Sequence, residues 1–392
     1  HILFDIGNRQ GESGPAVDAF VRIKGNDLVE GWVTTLPTYS NKYQSGATIT
    51  MYFSARLDKP ADSFGTFVKE TVQKNNREIE GIGAGAYLTY NTQDNELITA
   101  KVGLSYTSVD NARLNRETET RQDQMDFDEA REISRSTWEE YLGRMRVETP
   151  VKEDKIKFYT GLYHALIHPN ILQDINGEYP QMEGDKILTT KGNRYTVFSL
   201  WDTYRNLHQL MTLVYPERQM DMINTMLDMY REHGWLPKWE LYGRETLTME
   251  GDPSLPVIVD TWMKGLRDFD INLAYEAMYK SATLPGKENL MRPDNDDYTK
   301  LGYVPLREQY DNSVSHALEY YIADYSLYTL AKALDKKEDA KLFYKRSMGY
   351  KNYYCKEYGT LRPILPDGKF YSPFDPLQGQ NFEPSPGFHE GN

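Results

Sequence analysis

Cysteine is almost missing from this chain of 392 residues, which carries only Cys355. A single thiol excludes an intrachain disulfide framework and any multi-cysteine metal site. Only Lys356 and Glu357 follow it, so no neighbouring base activates it, and it reads as a small buried hydrophobe. Positive charge is also scarce: 45 Lys and Arg stand against 58 Asp and Glu, a formal net charge of -13. Binding to a phosphate backbone needs a basic surface, so nucleic acid is excluded as a partner. No apolar run approaches the roughly 18 residues needed to span a bilayer, and the N-terminus lacks the basic-then-apolar pattern of a signal peptide. Because the chain opens on His1 and not on Met, its start is read as removed. Neither a Gly-x-Ser-x-Gly elbow nor a His-Glu-x-x-His pair occurs, which leaves serine-type hydrolysis and a compact helical zinc site without support. His168 with Gln173, Asp174 and Glu178 is only a weak hint of a metal site.

Aromatic residues are plentiful: 30 Tyr, 14 Phe and 6 Trp. They bury large areas while keeping polar edges, so a soluble globular protein with a packed core is expected. The length predicts two domains, since single cores stop growing at roughly 250–300 residues.

The first 110 or so residues carry strand patterns. From Thr48 to Leu57 the set Ile49, Met51, Phe53, Ala55 and Leu57 alternates with polar neighbours, the period-2 signature of a half-buried strand. Val102, Leu104 and Tyr106 repeat it, and Phe20 to Ile23, Val29 to Thr34, Gly65 to Lys69 and Ala84 to Tyr90 are shorter candidates. Turn residues between them predict an antiparallel β-sandwich over residues 1–126. From Phe127 the period becomes helical. Asp126 or Asp128 can cap a helix over 127–150 that links the domains. Beyond it, three stripes are predicted: Ile156, Tyr159, Tyr163 and Leu166; Leu318, Ile322 and Tyr325; Ala340, Phe343, Ser347 and Tyr350. Residues 151–392 are therefore expected to be a mostly helical domain. Its long polar connections, 175–196, 238–253, 292–312 and 357–392, exceed the roughly 12–15 residues usual for loops without function. Asn176-Gly177 and Asp367-Gly368 mark tight turns within them.

Those connections hold the residues that can carry chemistry. Ser199-Leu200-Trp201-Asp202-Thr203-Tyr204-Arg205 joins an aromatic plate, a carboxylate and a guanidinium, the mixture a sugar ring asks for. An equal reading is a helix start capped by Ser199 or Asp202 with Trp201 in the core. Gly234-Trp235-Leu236-Pro237-Lys238-Trp239-Glu240 repeats the mixture, either as a sugar-binding loop or as aromatics plugging a gap. Asp252, ahead of Pro253, is either a further pocket carboxylate or a helix cap, with capping slightly favoured. Acids in aromatic loops on a helical scaffold fit glycoside hydrolysis, where one carboxyl protonates the leaving oxygen and a second activates water or attacks carbon. Glu390 is a candidate acid, although taken alone it is one of many acidic residues.

Taken in order, Phe198 to Arg205, Gly234 to Trp239, Gly251-Asp252-Pro253 and Gly387-Phe388-His389-Glu390-Gly391-Asn392 resemble glycoside hydrolase family 92, a family of exo-acting, mostly bacterial α-mannosidases. The resemblance extends to His168-Pro169 and to the loop from Arg362-Pro363 to Phe374-Asp375-Pro376. It implies an N-terminal β-sandwich followed by an (α/α)6 barrel, an inverting mechanism, a Ca2+ ion and terminal mannose on glycans as substrate. On the same resemblance Glu390 is the general acid, and Trp201, Asp202, Arg205, Trp239, Glu240 and Asp252 contact the sugar. The general base and much of the calcium site fall, in the family, after the segment matching Asn392, so the 392 residues alone are expected not to hydrolyse an α-mannoside. A periplasmic, cell-surface or secreted location in a bacterium follows from such substrates. Two other classes stay open: a non-catalytic carbohydrate-binding protein, which binds glycans without turnover, and another helical-barrel enzyme such as a phosphate-dependent glycoside phosphorylase.

Overall fold

The computed structural model describes residues 1–8, 14–36, 48–307 and 313–375. The chain divides into two compact units: residues 1–196 with 241–246, and residues 197–240 with 247–392.

The first unit is built on two antiparallel sheets. One orders its strands β1 (Ile2–Asp5), β8 (Ala84–Thr89), β5 (Ser63–Val68) and β6 (Thr71–Lys74). The other orders β7 (Glu78–Glu80), β2 (Ala16–Lys24), β3 (Leu28–Thr35), β4 (Ile49–Leu57) and β9 (Ala100–Ser105). Val21, Ile23, Val29, Phe53, Ala55 and Leu57 from the larger sheet meet Ala86 and Leu88 from the smaller one, with Phe4 and Phe64 at the margin. This is the sandwich that the period-2 pattern predicts.

The half-buried reading of β4 needs one correction. Ser54, on the face expected to be solvated, is fully buried, because helix α1 (Val109–Glu119) covers that face. Arg116 of α1 donates to Ser54 Oγ at 2.7 Å and to Asp123 Oδ1 at 2.9 Å. Ser108 caps α1 by accepting from Asn111 N. Helix α2 (Phe127–Leu142) starts on Asp126, which accepts from Glu129 N, and has no buried residue. Helix α3 (Lys152–Ala165) packs Tyr163 on Trp138 of α2 with ring centroids 4.6 Å apart. Its expected stripe is exposed at Ile156 and Tyr163 but buried at Leu166, just past the helix end, and Leu162 is the buried residue within the helix. A layer resting on a neighbouring helix needs few apolar contacts.

The polar stretch after α3 is not a bare loop. Strands β10 (Asn170–Ile171), β11 (Glu178–Pro180), β12 (Ile187–Thr189) and β13 (Tyr195–Thr196) form two small antiparallel pairs. Gly177 takes the left-handed φ of 85° that its turn requires. Asp174, buried, accepts from Ser105 Oγ (2.9 Å), Asn111 Nδ2 (3.1 Å) and Asn115 Nδ2 (2.7 Å). Its partners are amide and hydroxyl donors, which explains its burial without a cation.

The second unit opens with β14 (Phe198–Ser199), α4 (Leu200–Thr203), α5 (Leu207–Val214) and α6 (Pro216–His233). After β15 (Trp239–Leu241) come α7 (Ser254–Met263), α8 (Ile271–Thr283), α9 (Asn295–Leu301), α10 (Ser313–Ala333) and α11 (Lys337–Ser347). Met222, Ile223 and Met226 of α6, Leu255 and Ile258 of α7, and Ala274 and Met278 of α8 are among its buried apolar residues. Tyr298, Tyr320, Tyr321 and Tyr353 form a second cluster. The stripe on α11 holds for Ala340, Phe343 and Ser347, but Tyr350 is exposed. On α10 the expected stripe is rotated: Ile322 and Tyr325 are exposed, while Ala317, Tyr320, Asp324, Leu327 and Ala331 are buried. Polar residues take part in the buried face, so apolarity alone misplaces it. Asp367-Gly368 does form a tight turn, in which Leu365 N donates to Lys369 O at 2.8 Å and Gly368 has φ 84°.

A neutral relay crosses the start of this unit. Gln219 Nε2 donates to Thr261 Oγ1 (2.8 Å), which leaves Gln219 Oε1 to accept from His208 Nδ1 (3.0 Å) and His208 Nε2 to accept from Thr203 (3.0 Å). Burial lowers the His208 pKa to about 4, against the opposing bond to Gln219. The folded protein therefore binds fewer protons than the unfolded chain between about pH 4 and 6.5, and stability falls as pH falls through that window. The loss amounts to about 3 kcal/mol at the acid end. Thermal unfolding scanned from pH 7 to 4 should show this slope, and His208→Asn should flatten it; an unchanged slope would refute the assignment.

Candidate functional site

Two motifs distant in sequence are joined by one short ladder. β14 pairs antiparallel with β15, setting Phe198 opposite Glu240 and Ser199 opposite Trp239. Leu200 N also donates to Lys238 O at 3.2 Å. Val197 enters this ladder with φ 64°, and its N–H donates to Glu240 Oε2 at 3.1 Å. A β-branched residue seldom adopts that conformation, so the surroundings must enforce it. Leu247 (φ 52°) and Met249 (φ 67°) share it in the acidic loop that follows. Three such residues thus lie close in sequence to those singled out for sugar contact.

Trp201 and Arg205 are brought together. The guanidinium of Arg205 stands 5.0 Å from the ring centroids of both Trp201 and Tyr204, a cation–π arrangement. Arg205 Nη2 donates to Glu319 Oε1 of α10 at 3.0 Å. Asp202 is exposed and accepts from Ser199 Oγ. Trp201 is buried and Trp239 half-buried. Arg205 and Tyr204 border an open groove of about 400 Å³, with Gln209, Val259, Asp260 and Tyr325 on its other sides. A larger cavity of about 630 Å³ lies in the first unit, but Phe4, Val33, Met51, Phe53 and Leu104 make it apolar and offer a sugar's hydroxyls little.

Glu240 and Asp252 occupy different surroundings. The Glu240 carboxylate is fully buried and is held by Val197 N. Asp252 Oδ2 accepts from Arg292 Nε at 2.9 Å and from Ser281 Oγ at 2.5 Å. Arg292 Nη1 donates to Asp324 Oδ1 at 2.7 Å, and Tyr298 donates to Asp324 Oδ2 at 2.9 Å. Burial works against the guanidinium's charge, but the carboxylates of Asp324 and Asp252 outweigh it and raise the Arg292 pKa. Glu250 pairs with His316, both buried.

Glu319 and Tyr204 were not among the residues expected to form the site. Tyr204 lies within the quoted motif and its neighbourhood signals it; Glu319 sits 114 residues from Arg205, inside a helix, with no local signal. Glu390 lies outside the described residues. Among the described residues no group of three or more His, Cys, Asp and Glu is placed to hold a metal ion. Among the described residues, Asp252 and Asp324 are engaged by Arg292 and are not free to hold a calcium ion.

A β-sandwich unit followed by a helical unit carrying an aromatic and carboxylate-lined surface is an architecture of carbohydrate-active enzymes. Residues 1–105 match the glycosyl hydrolase family 92 N-terminal domain, and residues 111–392 match the glycosyl hydrolase family 92 catalytic domain. The chain belongs to glycosyl hydrolase family 92. It is similar to a family GH92 α-mannosidase from Bacteroides thetaiotaomicron solved in complex with mannoimidazole: 30% identity, a TM-score of 0.85, and coverage of 94% of this chain and 47% of that one. A family GH92 inverting mannosidase from Bacteroides thetaiotaomicron VPI-5482 matches at 26% identity and a TM-score of 0.83, covering 92% and 48%. An uncharacterized secreted glycosidase of Arthroderma benhamiae is 28% identical over 293 residues, covering 70% of this chain and 33% of its own length. The chain thus spans about half the length of the solved relatives and a third of the fungal one.

The buried charge cluster generates a prediction. Asp252→Ala leaves Arg292 with one carboxylate where it had two, and breaking such a pair is expected to destabilise by about 3–5 kcal/mol. Chemical denaturation should read a large loss; a variant of near-native stability would show that the pair does not hold the core.

Proposed function

We propose that this chain serves an exo-acting, inverting, calcium-dependent α-mannosidase that removes terminal mannose from glycans. The observation that carries the reading is the match to both family domains along nearly the whole sequence. The mannosidase neighbours and the Trp201–Arg205 surface support it. In this reading residues 1–126 are the sandwich domain, 127–150 a linking helix and 151–392 part of an (α/α)6 barrel.

Glu390 protonates the glycosidic oxygen as the C1–O bond breaks. A second carboxylate takes a proton from the water that attacks C1 from the opposite face, with roughly 6.5–9.5 Å between the two carboxyls to admit that water. Trp201 and Trp239 offer aromatic faces to the ring, and Asp202 and Arg205 pair with hydroxyls. Glu240 and Asp252 hold these walls from within. Calcium belongs to the proposal on family grounds alone, and no step is routed through it. A secreted, periplasmic or surface location in a bacterium is supported by the secreted fungal relative and the Bacteroides neighbours. Among the described residues no helix is long and apolar enough to cross a membrane.

In the full-length protein, Glu390→Gln should reduce kcat on a mannobiose by roughly 10²–10⁴-fold, with a much smaller loss on an aryl α-mannoside whose leaving group needs no proton. Equal losses on both would sink the acid role. Treatment with a chelator should abolish turnover and added Ca2+ restore it, whereas activity persisting after exhaustive chelation would remove calcium from the mechanism.

A further inference from the structure

We infer that Glu319 is a positioning residue that holds the Trp201–Asp202 segment, beside the groove that Tyr204 and Arg205 border, through those two residues; the inference rests on the mannosidase reading for what that segment binds. The geometry is specific. One oxygen of Glu319 accepts from Arg205 Nη2 at 3.0 Å, and the guanidinium so held lies at equal distance, 5.0 Å, from the Trp201 and Tyr204 rings. Arg205 lies in the turn just after α4, three residues from Asp202 and four from Trp201, so fixing its head limits the freedom of the segment that carries them.

Glu319 is itself fixed from a second side. Gly251, with φ 78°, lies so near that a Cβ there would meet Glu319 Cβ at 2.3 Å. Any larger residue at 251 would displace either the acidic loop or α10. The side chain of Glu319 is only 11% exposed, while that of Arg205 is 45% exposed. Burial raises the Glu319 pKa, opposed by the hydrogen bond to Tyr204 and by the charge of Arg205. Burial likewise drives the Tyr204 pKa up, reinforced by Glu319.

Magnitude separates a positioning role from a stabilising one. An ion pair with a half-exposed arginine is worth about 0–1 kcal/mol, less than desolvating a carboxylate usually costs. Stability alone gives Glu319 little reason to be there. Orientation of an exposed cation beside an aromatic wall gives it one.

The test uses the full-length protein labelled with 5-fluorotryptophan, together with 4-nitrophenyl α-mannoside kinetics. The chain has six tryptophans, and the Trp201 fluorine resonance is assigned by its loss in Trp201→Phe. In Glu319→Gln the Trp201 resonance should shift or broaden while the others stay, and KM should rise roughly tenfold with kcat within about threefold, the mark of lost uniform binding. Glu319→Asp, which restores the charge, should lie between Gln and wild type in both readouts. An unmoved Trp201 resonance, or a moved one with unchanged KM, overturns the inference. So does movement of all resonances together with lower Vmax at unchanged KM, which is the pattern of a merely structural residue. If the wild type fails to turn over any mannoside, the mannosidase reading falls and the Trp201 resonance alone decides whether Glu319 positions that segment.

Discussion

The second unit is organised around one guanidinium that has no water to solvate it. Arg292 is fully buried, and a buried cation is tolerable only where carboxylates meet it with good geometry. Asp252 and Asp324 do so, one from the loop ahead of α7 and the other from the middle of α10. Ser281 of α8 donates to the same oxygen of Asp252, and Tyr298 of α9 donates to the second oxygen of Asp324. Four segments are therefore referred to one charged centre. Apolar residues of equal volume would often be as stable, but they would not specify which loop residue sits against which helix turn. Asp252, once placed, fixes Gly251, and Gly251 permits the close approach to Glu319 that orients Arg205.

A different solution lies a few residues away. The relay from Thr203 through His208 and Gln219 to Thr261 is uncharged, and every donor meets an acceptor. It ties α4 to α5, α6 and α7 without a net charge to neutralise. Thus the Trp201 to Arg205 segment is supported by a neutral network on its Thr203 side and by an ion pair at Arg205. Satisfied networks of this kind rigidify, so the segment from Trp201 to Arg205 is held on both sides.

The strands of the first unit were legible because a sandwich buries one face of each strand, and β4 writes that alternation plainly. Helix α1 was not, because its buried residues are Asn111, Ala112, Asn115 and Arg116, a face that polarity patterns assign to solvent. The stripe on α10 was misplaced for a related reason: Asp324 and His316 belong to its buried side. Trp201 and Arg205 were legible as neighbours because they stand only four residues apart, and the guanidinium does stand 5.0 Å from the Trp201 ring. Glu319 was not, since contact across 114 residues leaves no trace in local spacing. The family resemblance, carried by ordered motifs, agrees with the matched domains over residues 1–105 and 111–392.

The fate of the acids between strand β15 and helix α7 bears on the chemistry. Glu240, Glu245, Glu250 and Asp252 look, as a sequence, like a supply of carboxylates for a glycosidase. All four are buried, at 0%, 3%, 2% and 2% exposure. Glu240 accepts from a strained backbone, Glu250 faces His316 and Asp252 faces Arg292. A general acid must reach a leaving oxygen and exchange its proton with solvent between turnovers. Carboxylates locked into core hydrogen bonds are poorly suited to that exchange, and their removal unfolds before it informs. The loop's acids therefore serve its geometry, and the acid role in the proposal rests on the motif that carries Glu390, outside this loop.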